Sequence, residues 1–304
     1  MNRPNGFVMW IASLAILLTS SSLSAAPKRI PLVSVPPFLK LPKGLKLGRC
    51  SGVAVDSKKR IYVFHRGKQP ILVFSAKGKF IRSWGDDAIG SAHGLRIDKK
   101  GNVWVTDTGR HRVLKFSDRG ELLLTLGTDR KPGTGKNQFD QPTDVAFGAK
   151  GEIYVADGYG NSRIVKFTAK GKYLLSWGTA GRKPKQFDTP HTILVDRKGR
   201  VIVGDRENNR VQVFNGQGKL LSIWPGFAPY GLAFDRDGSI LVADGVAHRV
   251  LRLNAAGKVI QIFGKKGKGP GEFNLPHMLA ADVDGNVYVA EIGNSRVQKL
   301  RPVK

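Results

Sequence analysis

The stretch HGLRIDKKGNVWVTDTGRHRVLKF, residues 93–116, decides the fold. It holds three short apolar runs, separated by a Lys-Lys-Gly-Asn turn and by a loop that begins at Asp107 and ends before Arg112. Short apolar runs that alternate with Gly, Asn and Asp turns are typical of antiparallel strands. The stretch therefore predicts three consecutive strands of one sheet.

The same unit recurs six times along the chain. Its openings are SGVAVD at 51–56, HGLRID at 93–98, TDVAFG at 143–148, HTILVD at 191–196, YGLAFD at 230–235 and HMLAAD at 277–282. Most units end in a fourth apolar run such as YLLSWG, residues 173–178. Four short strands in a unit of roughly 40 residues are typical of a propeller blade. We predict an all-β, six-bladed β-propeller over residues 49–304.

An acid and an arginine recur between the second and third runs of five units. The pairs are Asp107 with Arg112, Asp157 with Arg163, Asp205 with Arg210, Asp244 with Arg249, and Glu291 with Arg296. This pattern resembles the NHL repeat, and we expect each pair to bridge its turn. The sixth unit ends at Lys304 without a fourth run, so we expect segment 27–48 to supply that strand and close the ring, which would leave no open sheet edge.

Residues 1–26 have the pattern of a secretory signal peptide. Arg3 precedes an apolar run over 7–18, and small residues at 24–26 precede Pro27. The run is shorter than the roughly 20 residues of a membrane-spanning helix, and nothing later in the chain resembles one. We expect a secreted or periplasmic protein with no stable membrane span; an uncleaved anchor is the alternative.

The chain carries 50 Lys and Arg against 23 Asp and Glu, a formal charge of +27. Such an excess invites a nucleic-acid partner, but the basic residues are dispersed through turns, and export argues against it. Anionic envelope components or acidic peptides are better partners for such a surface. Because Cys50 is the one cysteine, no disulfide can form within the chain, and we expect a partly buried, inert thiol.

Histidine opens units two, four and six, as His93, His191 and His277. The first strand of a blade is the innermost, and alternate blades of six lie about 120° apart, so we expect three imidazoles to converge on the central axis. Three histidines with an open fourth position suit zinc, although imidazole also suits copper or nickel. The alternative is that each histidine merely caps its strand.

The loops after the second strands should surround this centre. They carry Arg66 in unit one, Tyr159 in unit three and Arg206 in unit four. Two guanidiniums and a phenol beside a Lewis acid suit a small carboxylate next to an oxygen that must lose a proton. The alternative is that both arginines are solvated and the tyrosine packs on a neighbouring loop. Three further histidines lie out of phase, and we interpret them as non-ligands: His65, His111 and His248.

Several strings are more specific than the repeat. They are FHRG at 64–67, DGYGNSRI at 157–164, DRENNR at 205–210, TPH at 189–191 and LPH at 275–277. With these strings the chain resembles peptidyl-α-hydroxyglycine α-amidating lyase, the lyase domain of peptidylglycine α-amidating enzymes. The resemblance implies zinc-dependent cleavage of a peptidyl-α-hydroxyglycine, or a related carbinolamide, to a peptide amide and glyoxylate. It also implies His93, His191 and His277 as zinc ligands and Tyr159, Arg66 and Arg206 as catalytic residues.

Three departures from that family concern its cysteines, a methionine and an aspartate. Where the family has paired cysteines, this chain has Asp140 with Gly160 and Ile202 with Val213. Leu275 replaces the methionine two residues before the third histidine ligand. Met278 replaces the aspartate that helps to bind structural calcium, which weighs against that ion here.

Two other functions fit the same pattern. One is a non-catalytic secreted propeller that binds a protein or an envelope polymer through its basic faces. The other is a metal-dependent hydrolase of lactones or esters, which would use water as its nucleophile and would tolerate loss of Tyr159.

Overall fold

A computed structural model describes Met1, residues 32–35 and residues 37–303, so the predicted signal peptide lies, apart from Met1, outside the described residues. The described part of the chain forms strands and turns, with no helix. The strands are β1 (Leu32–Val35), β2 (Arg49–Val55), β3 (Ile61–Arg66), β4 (Ile71–Phe74), β5 (Phe80–Trp84), β6 (Ala92–Ile97), β7 (Val103–Asp107), β8 (Arg112–Phe116), β9 (Leu122–Leu126), β10 (Pro142–Phe147), β11 (Ile153–Asp157), β12 (Arg163–Phe167), β13 (Tyr173–Trp177), β14 (Thr179–Ala180), β15 (Gln186–Phe187), β16 (Pro190–Val195), β17 (Val201–Asp205), β18 (Arg210–Phe214), β19 (Leu220–Pro225), β20 (Pro229–Phe234), β21 (Ile240–Asp244), β22 (Arg249–Leu253), β23 (Val259–Phe263), β24 (Pro276–Ala281), β25 (Val287–Glu291) and β26 (Arg296–Pro302).

Six four-stranded antiparallel sheets form the blades of the predicted propeller. Blades one to five are β2–β5, β6–β9, β10–β13, β16–β19 and β20–β23, each in chain order. Blade six has the order β1-β26-β25-β24, so the N-terminal strand is its outermost strand. The first strands also pack on one another around the ring, and β24 contacts β2. The chain is therefore an all-β, six-bladed propeller closed between its last and first blades.

The hydrophobic core consists of six clusters, one between each pair of neighbouring blades. Strand β11 shows how one strand serves two of them, because successive side chains point to opposite faces of a sheet. Ile153 and Val155 pack toward blade two, whereas Tyr154 and Ala156 pack toward blade four. Both faces are buried, which explains why the middle strands read as continuous apolar runs.

The turn after the first strand contains backbone of positive φ in every blade and an aspartate in five of the six, since blade three has Gly148 at that place. In blade two the Asp98 carboxylate accepts the backbone N–H groups of Lys100 and Asn102, at 2.9 and 3.0 Å, and Gly101 has a φ of 82°. In blade one Lys59 adopts a φ of 58°, a conformation that costs a non-glycine residue free energy. These turns lie at the opposite end of the strands from the histidines.

Candidate metal centre

The residue that opens each of the six sequence units lies at a β-bulge in the innermost strand of its blade. The register between the first and second strands shifts at this position in every blade, between Cys50 and Gly52 in blade one and at the corresponding pairs elsewhere. A bulge re-aims a side chain away from the regular alternation of a strand. The six opening residues are therefore presented differently from the side chains that follow them in the ladder.

His93, His191 and His277 meet at this end of the ring. Their side chains are buried, and their ring centroids lie 4.6 to 4.8 Å apart. One nitrogen from each ring lies within 4.8 Å of the others, the one such cluster of potential metal ligands in the described part of the chain. The structure thus brings together the three histidines that the sequence pattern singled out.

Backbone carbonyls from the alternate blades orient the three imidazoles. The Nδ1 atom of His93 lies 2.6 Å from the Thr143 oxygen, that of His191 lies 2.7 Å from the Tyr230 oxygen, and that of His277 lies 2.6 Å from the Ser51 oxygen. A carbonyl only accepts, so each Nδ1 carries the proton and each Nε2 keeps a free lone pair. This is the orientation in which proteins present histidine to a metal ion.

The electrostatics of the cluster also favour neutral, ligating imidazoles. Burial, followed by the neighbouring His277, lowers the pKa of His93 well below its ordinary value. Burial is likewise the main cause that lowers the pKa of His277 to about 3, and the charges of Arg66 and Arg206 contribute to that shift. Three neutral imidazole donors fit a divalent ion of the zinc, copper or nickel type.

Tyr159 and Arg206 lie directly on this triad. The Tyr159 hydroxyl is 3.0 Å from Nε2 of His93 and 3.1 Å from Nε2 of His191. A guanidinium nitrogen of Arg206 donates to the same hydroxyl at 3.3 Å. The Tyr159 side chain is 38% exposed, so the phenol connects the buried triad to the surface.

The loop of Arg206 is held close to its own histidine. Its backbone N–H donates to the Thr189 carbonyl, two residues before His191, at 3.1 Å. Its guanidinium also pairs with Glu207 at 2.7 Å. Arg206 is therefore fixed relative to the triad through both its backbone and its side chain.

Arg66 reaches the same region from blade one. Its Nε donates to the carbonyl of Ala92, the residue before His93, at 3.1 Å. Unlike Tyr159 and Arg206, Arg66 has no hydrogen bond to the triad or to Tyr159 in the described residues. Its position beside the strand of His93 leaves its guanidinium in the electrostatic range of His93 and His277.

Tyr230 is a site residue that the pattern of units two, four and six passed over. Its ring lies 5.3 Å from that of His191, and the Arg206 guanidinium stacks 4.7 Å above it. The same guanidinium lies 5.3 Å from the ring of Tyr159, so Arg206 is held between two aromatic rings. Its place at the opening of unit five was the available signal, because the three histidines occupy the same position in units two, four and six.

The acid–arginine pairs form the bridges that the sequence predicted, and we call each pair a clasp. The distance is 3.6 Å for Arg112 with Asp107 and between 2.6 and 2.9 Å in the other four blades. Each acid also accepts a backbone N–H from the segment that leads into its own first strand, as Asp157 does from Asp140 at 2.8 Å. The clasps therefore tie the second and third strands of a blade to the segment that leads into its first strand.

The other three histidines serve the backbone. His65 lies in β3, at the clasp position of blade one, where its Nδ1 accepts the Gly48 N–H at 2.9 Å. The Nδ1 atoms of His111 and His248 accept the N–H groups of Gln141 and Leu275, both at 3.1 Å. None of the three joins the triad.

The structure shows what the residues that replace the cysteines and the aspartate of the amidating-lyase family do here. Ile202 and Val213 are direct partners across β17 and β18, and the Gly160 N–H donates to the Asp140 carbonyl at 3.0 Å. Met278 is buried next to His277 and offers no carboxylate.

No helix in the described residues is long and apolar enough to cross a membrane.

In comparison with known proteins, the chain matches the NHL repeat and, over shorter stretches, the peptidylglycine-amidating enzymes. An NHL repeat model matches residues 90–116, 139–167, 187–214 and 273–300. NHL repeat-containing protein 3 of Mus musculus is 35% identical over 280 residues, which cover 82% of this chain and 78% of that protein. Streptogramin B lyase, a solved structure, has a TM-score of 0.65 at 16% identity, covering 90% of this chain and 98% of that one; identity this low shows the fold alone.

The amidating relatives match more locally. Peptidyl-glycine alpha-amidating monooxygenase of Mus musculus is 34% identical over 196 residues, which cover 57% of this chain. The match covers only 19% of that protein. A probable peptidyl-alpha-hydroxyglycine alpha-amidating lyase of Caenorhabditis elegans is 46% identical over 87 residues, which cover 28% of this chain and 25% of that protein.

Proposed function

The chain belongs to the NHL-repeat proteins, and on that premise we propose that it is a zinc-dependent lyase that cleaves a peptidyl-α-hydroxyglycine to a peptide amide and glyoxylate. The partial matches to amidating enzymes support this reaction class. The observation that carries the proposal is the Tyr159 hydroxyl, which lies within 3.1 Å of two ligand nitrogens and 3.3 Å from Arg206. That arrangement suits proton removal beside a Lewis acid.

The triad would hold the metal through the Nε2 atoms of His93, His191 and His277. Their free lone pairs and their carbonyl-bonded Nδ1 atoms fit that role. Zinc held by three histidines would supply a Lewis acid that polarises an oxygen of the substrate. The buried imidazoles contribute three neutral donors and exclude water from the inner side of the site.

Tyr159, in its phenolate form, would act as the general base that takes the proton of the substrate's α-hydroxyl. A catalytic base must lie within hydrogen-bond reach of the proton it takes, and the Tyr159 oxygen already lies within 3.1 Å of Nε2 of His93 and of His191. The Arg206 guanidinium next to it would stabilise the negative charge of the phenolate oxygen. Arg206 is itself held by the rings of Tyr159 and Tyr230.

Arg66 and Arg206 are the groups that would bind the substrate's carboxylate, because guanidinium groups pair with carboxylates in a bidentate manner. With the carboxylate held, loss of the hydroxyl proton lets the C–O bond become the aldehyde carbonyl while the C–N bond breaks. The departing nitrogen takes a proton, which Tyr159 can return. The products are glyoxylate and the peptide amide.

A direct assay tests this function. Purified protein loaded with Zn²⁺ should convert an N-acyl α-hydroxyglycine to glyoxylate and amide in equal amounts. His191→Ala and chelation should abolish the activity, and added Zn²⁺ should restore the chelated protein. His111→Ala is the matched control, since that imidazole contacts the Gln141 N–H and the Asp140 carboxylate and makes no hydrogen bond to the triad. Zinc-loaded protein that releases no glyoxylate above the enzyme-free rate would disprove the lyase.

A second candidate is a non-catalytic propeller that binds an anionic protein or envelope polymer. The match that covers most of both chains is to NHL repeat-containing protein 3, and the net charge of +27 suits anionic partners. This candidate predicts no glyoxylate and salt-sensitive binding that His191→Ala leaves unchanged.

Export belongs to the same proposal. The apolar N-terminal run and the small residues at 24–26 support secretion or a periplasmic location. A peptide with a terminal α-hydroxyglycine would then meet the enzyme outside the cytoplasm. Mass spectrometry of the N-terminus of the exported protein tests the cleavage after residue 26.

A further inference from the structure

Arg96, whose side chain is 14% exposed, carries a charge across the axis of the ring. It lies three residues after His93 on β6 in blade two, and its Nη1 donates to the Leu232 carbonyl of blade five at 3.0 Å. Blades two and five are opposite in a ring of six, so the side chain spans the central channel. Because Arg96 follows His93 along the innermost strand, it lies on the inner side of the triad.

The guanidinium binds a carboxylate that is completely buried. Nε and Nη2 of Arg96 donate to the two oxygens of Asp144, at 3.0 and 2.5 Å. Nη2 also lies 3.2 Å from the Thr192 hydroxyl, which itself donates to Asp144 at 2.9 Å. The backbone N–H of Ile193 adds a further bond to the carboxylate at 3.0 Å.

Every member of this network lies within three residues of a histidine of the triad or of a residue whose carbonyl orients one. Asp144 follows Thr143, whose carbonyl orients His93. Thr192 follows His191, and its hydroxyl accepts the Leu232 N–H at 3.1 Å. Leu232 lies two residues after Tyr230, whose carbonyl orients His191. The network therefore joins the strands of two ligands and of both their carbonyl partners.

The fold alone does not need this ion pair. The position of Arg96 is taken in the other five blades by small or apolar residues: Ala54, Ala146, Leu194, Ala233 and Ala280. Removing two charges from water is costly, and apolar residues often stabilise a core as well as a buried pair does. What the pair adds is geometry, because a planar fork fixes its partners in direction as well as in distance.

We propose that Arg96 is a positioning residue that sets the relative placement of His93 and His191 and thereby the metal affinity of the triad. The inference rests on the proposed metal site and does not depend on the reaction. Outer partners of metal ligands typically contribute 10- to 100-fold in affinity. Arg96 acts one step further out than the carbonyls, through the strands that carry them.

Zinc affinity tests this role directly. We expect Arg96→Met to weaken Zn²⁺ binding by about 10- to 100-fold, measured by competition with a chromophoric chelator. The Co²⁺-loaded variant should also show a shifted visible absorption band. Arg163→Met is the matched control, since it removes a guanidinium from a buried aspartate away from the axis, and it should stay within about twofold of the unmodified protein.

Arg96→Lys keeps the proposal testable if the methionine variant does not fold. Lysine retains the charge but cannot reach Asp144, Thr192 and Leu232 together, so we still expect weaker zinc binding and a changed Co²⁺ spectrum. Unchanged affinity and spectrum in the folded Arg96 variants, or an equal loss in Arg163→Met, would overturn the proposal. Unmodified protein that binds Zn²⁺ but releases no glyoxylate would instead disprove the lyase alone.

Discussion

The position that opens each innermost strand holds four residue types around the ring, whereas the clasp is an acid with an arginine in five blades of six. Five of the six opening residues and all five clasp acids are buried, and both places lie at the same end of the blades. Burial therefore does not distinguish them. What distinguishes them is how the residue type varies around the ring. A residue type that recurs in nearly every blade holds the blade together, whereas one that alternates from blade to blade marks the candidate site.

Blade one shows the same contrast within a single loop. His65 stands where the other blades have the acid, and Pro70 stands where they have the arginine. His65 still accepts the backbone N–H that the acid would accept, but it does so without a negative charge. The neighbouring Arg66 thus has no clasp carboxylate next to it, which suits its proposed role in binding the carboxylate of the substrate.

The largest effect on turnover expected within this comparison comes from Tyr159→Phe. The ring and its contact with Arg206 remain, while the hydroxyl near the two ligand nitrogens is lost. We expect glyoxylate release to fall by at least about 10²-fold, as is typical for loss of a general base, while bound zinc stays stoichiometric. Tyr173→Phe is the control, because that hydroxyl bonds to Ser176 on an outer strand. Near-normal turnover in Tyr159→Phe would favour the hydrolase or another base.

A smaller effect is expected from Tyr230→Leu, which removes the ring beneath the Arg206 guanidinium. Cation–π contacts contribute about 0.5 to 2 kcal/mol, so KM for a substrate with a free carboxylate should rise by about 2- to 30-fold. Tyr230→Phe keeps the ring and should behave like the unmodified protein. If the phenylalanine variant were as impaired as the leucine variant, the hydroxyl of Tyr230 and not its ring would be the functional group.

The sequence predicts the triad because histidine breaks the repeat consensus in strict alternation, and the identity of a residue is enough to give its side-chain chemistry. The carbonyls of Ser51, Thr143 and Tyr230 are not visible there, because any residue would supply the same backbone oxygen. The bulges that re-aim the opening residues leave no mark in the apolar pattern either. The contact of Arg96 with Leu232 joins opposite blades, and local periodicity carries no information about pairs across a ring.

The smallest effect on turnover, and a large one on stability, is expected from Arg163→Met. It leaves the carboxylate of Asp157 fully buried without its cation, and breaking such a pair costs about 3 to 5 kcal/mol. Burial already raises the pKa of Asp157 to about 6 in the intact clasp. We expect the free energy of unfolding to fall by about 3 kcal/mol or more, while the zinc-loaded protein that remains folded keeps its turnover.

Cys50 supplies the measurement for this variant. It lies in blade one, far along the chain from Arg163, is completely buried, and burial raises the pKa of its thiol to about 12. A thiol reagent should therefore label it only when the ring opens, so the labelling rate reports global unfolding and not a local opening of blade three. Faster labelling with unchanged turnover would show that the clasp stabilises the fold and does not position the residues at the axis. A parallel loss of zinc affinity would mean instead that the clasps also position the ligands, and the division between the two regions would fail.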